Sequence, residues 1–245
     1  MKQFGLIGYP LSHSFSKKYF SEKFTKESIK GCDYELFELP SLKDFRQWIE
    51  GLKDLNGLNV TIPYKQEVIP FLDRLDDKAK AIGAVNVIKK ENDGTFTGYN
   101  SDYYGFKLSL EQFLGNTKPS KALVLGTGGA SKAVVVALQD MGIVPQYVSR
   151  TAGNGAIAYD ELTPTIITTH TLIINTSPVG MYPDLEQCPA IPYEQLGSGH
   201  YLYDLVYNPS ETLFMKKGLE KGAKAKNGLD MLVLQAEKAW EIWNR

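Results

Sequence analysis

Short runs of apolar and β-branched residues alternate along the chain with longer segments whose apolar residues recur every three or four positions. The short runs predict buried strands and the longer segments predict amphipathic helices. The predicted strands cover residues 4–8, 34–39, 58–62, 84–89, 95–99, 122–126, 146–150, 172–175, 201–206 and 223–226. The predicted helices cover residues 17–26, 42–52, 103–114, 131–141, 210–221 and 229–243. This alternation favours an α/β fold whose parallel sheets are built from βαβ units.

A polar stretch at residues 115–121, GNTKPSK, separates two series of these elements. It contains the Gly, Pro and Ser residues that are typical of a connection. The chain after it begins again with a buried strand, a glycine-rich turn and a helix, so we expect one α/β domain before this stretch and another after it. The last helix carries a broad apolar stripe, and its periodicity leaves open which domain covers that stripe.

Composition narrows the classes of function. The 245 residues include 27 basic and 28 acidic side chains, a balance without the positive excess that nucleic acids or anionic membranes require. Two cysteines and three histidines show no metal-ligand spacing, so we expect no metal. The N-terminal apolar run is short and broken by Gly and Pro, and no apolar stretch is long enough to span a membrane. We therefore expect a cytoplasmic protein.

The turn after residues 122–126 is rich in glycine and reads GTGGAS. A dinucleotide-binding turn needs glycine where the chain bends and where the backbone approaches a pyrophosphate at a helix N-terminus, and Gly126 and Gly128 meet these needs. The third glycine of G-x-G-x-x-G would fall at Ser131, so a purely structural turn is the alternative. The next strand ends with Arg150 and Thr151, where an arginine favours NADP and an acid would favour NAD. The alternative for Arg150 is a solvated charge.

Hydroxyl and amide side chains follow several predicted strands in the first half of the chain. They are Ser12, Ser14, Ser16, Asn59, Thr61, Asn86 and Asn100. Ligands of open α/β sheets bind beyond the carboxyl ends of the strands, and each buried hydroxyl of a ligand needs a partner. The set therefore indicates a polyhydroxylated ligand, with helix caps and turns as the alternative. Lys65, in NVTIPYK, is either a surface charge at the start of a helix or a proton donor.

Taken in order, these motifs resemble those of the shikimate dehydrogenases, the NADP-dependent family of aromatic amino-acid synthesis. The similar segments are GYPLSHSFS, LNVTIPYK, GAVNVI, GYNSD, GTGGASK, SRT, YDLVYNP and GLDMLVLQA, and they extend from Gly8 to Ala236. The resemblance implies an N-terminal α/β substrate domain at residues 1–102 and a Rossmann-type dinucleotide-binding domain at 103–228. The C-terminal helix, residues 229–245, would return to the first domain. The implied reaction is the reversible NADPH-dependent reduction of 3-dehydroshikimate to shikimate.

The resemblance also implies a role for individual residues. Lys65 and Asp102 would be the catalytic pair. The implied substrate ligands are Ser14, Ser16, Asn59, Thr61, Asn86, Tyr207 and Gln235. The implied NADP ligands are Gly126, Gly128, Gly129, Ala130, Ser149, Arg150 and Thr151. The expected partner is a small molecule, without nucleic acid or membrane, and the chain would be a monomer or a homodimer.

The chain departs from the family pattern near the cofactor. Ser149 replaces the usual Asn, Lys132 stands where Arg is common, and the stretch after Thr151 lacks the further basic residue that many members have near Asn154. With Arg150 alone on the 2′-phosphate, the preference for NADP should be weaker than usual. Two alternatives stay open: an NAD-dependent quinate/shikimate dehydrogenase of the same superfamily, and a non-catalytic protein that senses a dinucleotide.

Overall fold

The computed structural model describes residues 1–11 and 14–245, and Ser12 and His13 lie outside the described residues. The chain forms two compact units. Unit 1 consists of Met1–Ser101 together with Ala236–Arg245, and unit 2 consists of Asp102–Gln235. None of the helices in the described part of the chain is long and apolar enough to cross a membrane.

Unit 1 is an α/β unit built on a mixed sheet. Its strands are β1 (Lys2–Gly8), β2 (Cys32–Glu38), β3 (Leu55–Val60), β4 (Arg74–Leu75), β5 (Val87–Lys90) and β6 (Phe96–Tyr99). Its helices are α1 (Phe15–Lys26), α2 (Phe45–Gly51) and α3 (Asp77–Ile82). The strand order is β2-β1-β3-β5-β6-β4, with β1 parallel to both of its neighbours.

The expectation of parallel strands throughout is wrong for this sheet, because β5 runs antiparallel to β3 and to β6. The turn between β5 and β6 is tight: Glu91 N–H donates to Thr95 O at 2.8 Å, and Gly94 has a φ of 84°. A positive φ suits glycine, and a turn this short reverses the chain direction. The sequence pattern identified both strands, but the direction of their pairing followed from the turn.

The end of the last helix, α8 (Leu229–Trp243), belongs to the core of unit 1. Ala239 and Trp243 are buried with Phe4, Phe20 and Tyr34 in one hydrophobic cluster. The indole N–H of Trp243 donates to Ile88 O at 3.0 Å. This packing explains the apolar stripe over the C-terminal half of the helix.

Unit 2 has the doubly wound topology of dinucleotide-binding folds. Its strands are β7 (Lys121–Leu125), β8 (Val144–Ser149), β9 (Ala156–Ala158), β10 (Leu172–Asn175), β11 (Tyr201–Asp204) and β12 (Lys224–Lys226). Its helices include α4 (Ser101–Leu114), α5 (Gly129–Asp140), α6 (Pro164–Thr169) and α7 (Leu213–Glu220). The parallel order β9-β8-β7-β10-β11-β12 corresponds to 3-2-1-4-5-6 when β7 is counted as the first strand.

Candidate active site

Tyr34 and Asn59 form a buried hydrogen bond in unit 1. The hydroxyl of Tyr34, on β2, donates to Oδ1 of Asn59, on β3, at 2.7 Å. Burial raises the pKa of Tyr34, and the hydroxyl of Ser16, in the first turn of α1, acts to lower it, so the phenol stays protonated. The structure thus holds Asn59, a predicted substrate residue, through a tyrosine that the sequence pattern did not single out.

The chain of buried polar groups continues beyond Asn59. The amide nitrogen of Asn59 lies 3.4 Å from Asn86 O, a long contact. The amide of Asn86 is itself held by Ser101: Ser101 N–H donates to Asn86 Oδ1 at 2.6 Å, and Asn86 Nδ2 donates to Ser101 Oγ at 3.0 Å. Nearly all of Asn59, Asn86 and Ser101 is buried, so these bonds fix the amides at the carboxyl ends of β3 and before β5.

Ser14 has a buried hydroxyl whose oxygen finds no hydrogen-bond partner among the residues that the structure describes. It lies just before α1 at the N-cap position, yet it makes no side-chain cap bond. A buried hydroxyl without a partner costs about 1–3 kcal/mol. Because a cap bond would have met this cost, the orphaned hydroxyl favours a role of Ser14 in ligand binding over the alternative of a helix cap.

Lys65 lies in a series of turns at residues 62–68, between β3 and a short 3-10 helix at Ile69–Phe71. The turn is closed by Tyr64 N–H to Thr61 O at 2.9 Å, and Val85 N–H donates to Lys65 O at 2.7 Å. The interpretation of Lys65 as a charge in the first turn of a helix is therefore wrong. Its side chain is half-buried. At Gly8 a Cβ would lie 2.4 Å from Thr61 Cγ2, so the glycine makes room for Thr61.

Asp102 and Gln235 lie in unit 2 on helices that pack closely. Asp102 is in the first turn of α4, where the helix dipole favours an acid. One turn later, a Cβ at Gly105 would lie 2.7 Å from Met231 O and 2.8 Å from Gln235 N on α8. Gly105 therefore allows α4 and α8 to approach each other. Gln235 is largely buried, and its Nε2 donates to Leu232 O at 2.8 Å.

The glycine-rich turn of unit 2 lies between β7 and α5, as predicted. Gly126 has a φ of 112°, which favours glycine, and its N–H donates to Val148 O at 2.8 Å. Gly128 caps α5 with an ordinary negative φ, and Ala130 lies in the first turn. A Cβ at Gly128 or Gly129 would meet no atom within 4 Å. Packing does not explain these two glycines, whereas a pyrophosphate against the backbone would.

A cavity of about 430 Å³ opens beside this turn at the end of β8. It is lined by Thr127, Lys132, Tyr147, Ser149, Thr151, Ala152, Gly153 and Asn154. Among these described lining residues Lys132 carries the only formal charge, and Arg150 is exposed beside them. Ser149 Oγ donates to Thr151 O, so it stabilises the local turn. In the sequence Lys132 is only a departure from the family pattern, because its distance along the chain from residues 149–154 does not show that they line one cavity.

The buried carboxylate of Asp204 holds the ends of β10 and β11, which lie on the opposite side of β7 from β8. Asp204 accepts hydrogen bonds from Asn175 Nδ2 at 2.9 Å, Val206 N–H at 3.0 Å and Thr212 Oγ1 at 2.6 Å. Burial raises the pKa of Asp204 to about 6, although these three bonds act to lower it. Tyr207, a predicted substrate residue, lies in the loop that Asp204 holds and is partly exposed.

The two units together define a class of protein. A doubly wound unit with an open glycine turn binds a dinucleotide, and an α/β unit with buried hydroxyl and amide groups suits a small polar substrate. Among the described residues, no group of three or more His, Cys, Asp or Glu side chains is placed to hold a metal ion. This combination is typical of a nicotinamide-dependent dehydrogenase of small hydroxylated metabolites.

Comparison with known proteins identifies the family. Residues 6–88 match the family model of the shikimate dehydrogenase substrate-binding domain. The chain is 42% identical over 255 residues to the NADP(+)-dependent shikimate dehydrogenase of Clostridium beijerinckii, and the match covers 99% of this chain and 92% of the relative. The chain therefore belongs to the shikimate dehydrogenase family.

Solved structures agree with this assignment. Shikimate 5-dehydrogenase of Thermus thermophilus, in complex with NADP(H) and shikimate, superposes with a TM-score of 0.84 at 30% identity, over 99% of this chain and 93% of that one. Quinate dehydrogenase of Corynebacterium glutamicum, in complex with NAD, superposes with a TM-score of 0.88 at 26% identity, over 99% and 93%. The predicted fold class, an α/β substrate domain with a Rossmann-type domain, is confirmed.

Proposed function

We propose that Lys65 donates the proton in the reaction of this family, the reversible NADPH-dependent reduction of 3-dehydroshikimate to shikimate, and that Asp102 is its acidic partner. By its family the chain is an oxidoreductase that uses NADP. The observation that supports the substrate best lies in unit 1. There the orphaned hydroxyl of Ser14, the hydroxyl of Ser16 and the amide of Asn59, which accepts a hydrogen bond from Tyr34, provide polar groups for a polyhydroxylated ligand.

The chemistry requires a proton at the substrate oxygen. Bound NADPH would supply the hydride from its nicotinamide, and negative charge would then grow on the ketone oxygen of the substrate. A lysine ammonium within hydrogen-bond reach stabilises this charge and then donates its proton to form the alcohol. Asp102, which as a carboxylate only accepts hydrogen bonds, would orient that ammonium.

The remaining substrate ligands in this proposal are hydroxyl, phenol and amide groups. Thr61, Asn86, Tyr207 and Gln235 join Ser14, Ser16 and Asn59 in the set. Each can donate or accept a hydrogen bond, so the set matches hydroxyl groups that are themselves donors and acceptors. The carboxylate of shikimate is the one ionised group of the substrate, and hydroxyl donors such as Ser14 and Ser16 suit it.

The cofactor in this proposal binds along the turn from β7 to α5 and at the end of β8. Gly126, Gly128, Gly129 and Ala130 would hold the pyrophosphate with backbone N–H groups, consistent with the open space at Gly128 and Gly129. Ser149, Arg150 and Thr151 would contact the ribose that carries the 2′-phosphate. Lys132 would add a second positive charge to that contact, since it lines the adjoining cavity.

The experiment that tests the function follows NADPH absorbance with purified protein, shikimate, and NADP or NAD in turn. Rapid reduction of NADP would support shikimate as the substrate and the proposed contact with the 2′-phosphate. Faster reduction of NAD, or of either cofactor with quinate in place of shikimate, would favour the quinate/shikimate dehydrogenase alternative. Dinucleotide binding without any reduction would favour the sensor. A cytoplasmic location and a monomeric or homodimeric state complete the proposal.

A further inference from the structure

The hydrogen bond from Tyr34 to Asn59 has a direction, and this direction decides which atoms of Asn59 are left for a ligand. The ring of Tyr34 is 1% exposed and stacks on Phe20 with a centroid distance of 4.6 Å, so the phenol is held in place. Its hydroxyl has one proton, and that proton goes to Asn59 Oδ1.

Asn59 therefore shows its donor side to the ligand. Its Oδ1 is already engaged by Tyr34, and its Nδ2 has only the long 3.4 Å contact to Asn86 O. An amide nitrogen carries two protons, so at least one donor remains for a substrate oxygen. Without the Tyr34 hydroxyl, only the long contact from Nδ2 to Asn86 O would oppose a half-turn of the Asn59 amide.

We propose that Tyr34 is a positioning residue of the substrate site, which sets the amide of Asn59 as a hydrogen-bond donor to the ligand. This inference rests on the proposed function, in which Asn59 binds shikimate.

The test replaces Tyr34 by Phe, which removes one oxygen and keeps the ring. We expect KM for shikimate to rise by about five- to tenfold, the loss of roughly one oriented hydrogen bond, while KM for NADP changes by less than about twofold. The matched control is Tyr203→Phe. Tyr203 is equally buried and donates to Ser109 Oγ at 2.8 Å in unit 2, so this variant should lose stability without a change in KM for shikimate.

A double-mutant cycle with Asn59→Ala separates positioning from general packing. If Tyr34 acts through Asn59, Tyr34→Phe should have little further effect once Asn59 is Ala. Effects that add fully, or a Tyr34→Phe variant that changes only the melting temperature, would overturn the inference. Absence of shikimate binding to the unaltered chain in calorimetry would instead overturn the proposed function, and the inference with it.

A second variant tests the polarity even if Tyr34→Phe does not fold. Asn59→Asp keeps the acceptor for Tyr34 but replaces the donor by an acceptor of the same shape. It should bind shikimate no better than Asn59→Ala does. Recovery of binding in Asn59→Asp would show that the ligand needs no donor at this position and would overturn the inference.

Discussion

Lys23 on α1 forms an ion pair of 2.8 Å with Glu237 on α8, although the lysine side chain is only 7% exposed. The same ammonium donates to Glu27 at 2.8 Å, and the hydroxyl of Tyr19 donates to Glu237. Burial lowers the pKa of Lys23, but the two carboxylates outweigh it and the pKa is raised. This cluster, Tyr19, Lys23, Glu27 and Glu237, fastens the C-terminal helix to α1 within unit 1.

Lys23→Met should therefore destabilise the protein by about 1–2 kcal/mol, because it leaves two carboxylates without their shared cation. The figure is modest because both carboxylates remain partly exposed to water. The control is Lys18→Met on the same helix, whose pair with Glu22 is exposed and 3.9 Å long, and which should change stability by less than about 0.5 kcal/mol. Urea unfolding measures both, and equal small effects would contradict the prediction.

Lys65→Met should lower turnover of shikimate at least about 100-fold, the usual contribution of a positioned acid or base. Binding of NADPH, measured by calorimetry, should be unchanged because the cofactor residues lie elsewhere in the chain. Lys53→Met, at an exposed position of the same unit, serves as the control. A Lys65→Met variant with normal turnover would exclude this lysine as the proton donor.

Ser14→Ala should separate stability from binding. The unliganded variant should be as stable as the unaltered protein or slightly more stable, because it loses a buried hydroxyl that has no partner among the described residues. KM for shikimate should rise by about tenfold if this hydroxyl serves the ligand. Melting temperatures with and without shikimate check both effects. A loss of stability without any change in KM would indicate a structural role for Ser14.

Lys132→Gln and Arg150→Ala should each weaken the binding of NADPH far more than the binding of NADH, because only NADPH carries the 2′-phosphate. We expect each single change to raise the ratio of KM for NADPH to KM for NADH by about tenfold. Lys121→Gln, at the opposite end of β7, is the control. An equal loss for both cofactors would show that the altered residue does not contact the phosphate.

Asp204 should make stability depend on pH. Its pKa is raised by burial to about 6, from an ordinary value of 3.8, so the folded chain keeps a proton in a pH range where the unfolded chain has lost it. The contribution of Asp204 to the free energy of unfolding therefore falls as the pH rises through that range, and it stays constant above it. The free energy of unfolding of Asp204→Asn, relative to that of the unaltered protein, should rise by on the order of 2 kcal/mol from pH 4 to pH 7.

Asp93→Asn is a control of opposite sign for this pH series. Hydrogen bonds from Thr95 lower the pKa of Asp93 to about 2, so its stabilisation is present above its ordinary value of 3.8 and is lost as the pH falls. Urea unfolding at several pH values measures both variants. A stability difference for Asp204→Asn that does not change with pH would contradict the prediction.

Most regular elements were predictable because their signals are local. The glycines of the turn after β7, the buried run of β10 and the apolar stripe of α8 need only neighbouring residues to be recognised. The short elements were missed. Strand β9 and helix α6 have three and six residues, too few for a period to show, and α3 depends on a cap by Asp76 and on the positive φ of Gly83.

The candidate site was predictable as a set of residue types but not as an arrangement. The motifs identified Ser16, Asn59 and Lys65 through the family resemblance, while Tyr34 sits in an ordinary strand and carries no such signal. The sequence predicted no role for Lys132 for the same reason, since the lining of a cavity depends on how a helix and a turn meet. The turn around Lys65, in place of a helix, was set by contacts such as Val85 N–H to Lys65 O.

The sequence by itself determined the class of fold, the dinucleotide turn and the kinds of side chain at the strand ends, since each depends on residues close together in the chain. Only the tertiary structure decided that Tyr34 meets Asn59, 25 residues further on, and that their hydrogen bond has a direction. That contact requires the strand order β2-β1-β3, which brings β2 and β3 to either side of β1. Strand order follows from the packing of the whole unit, and no local pattern encodes it.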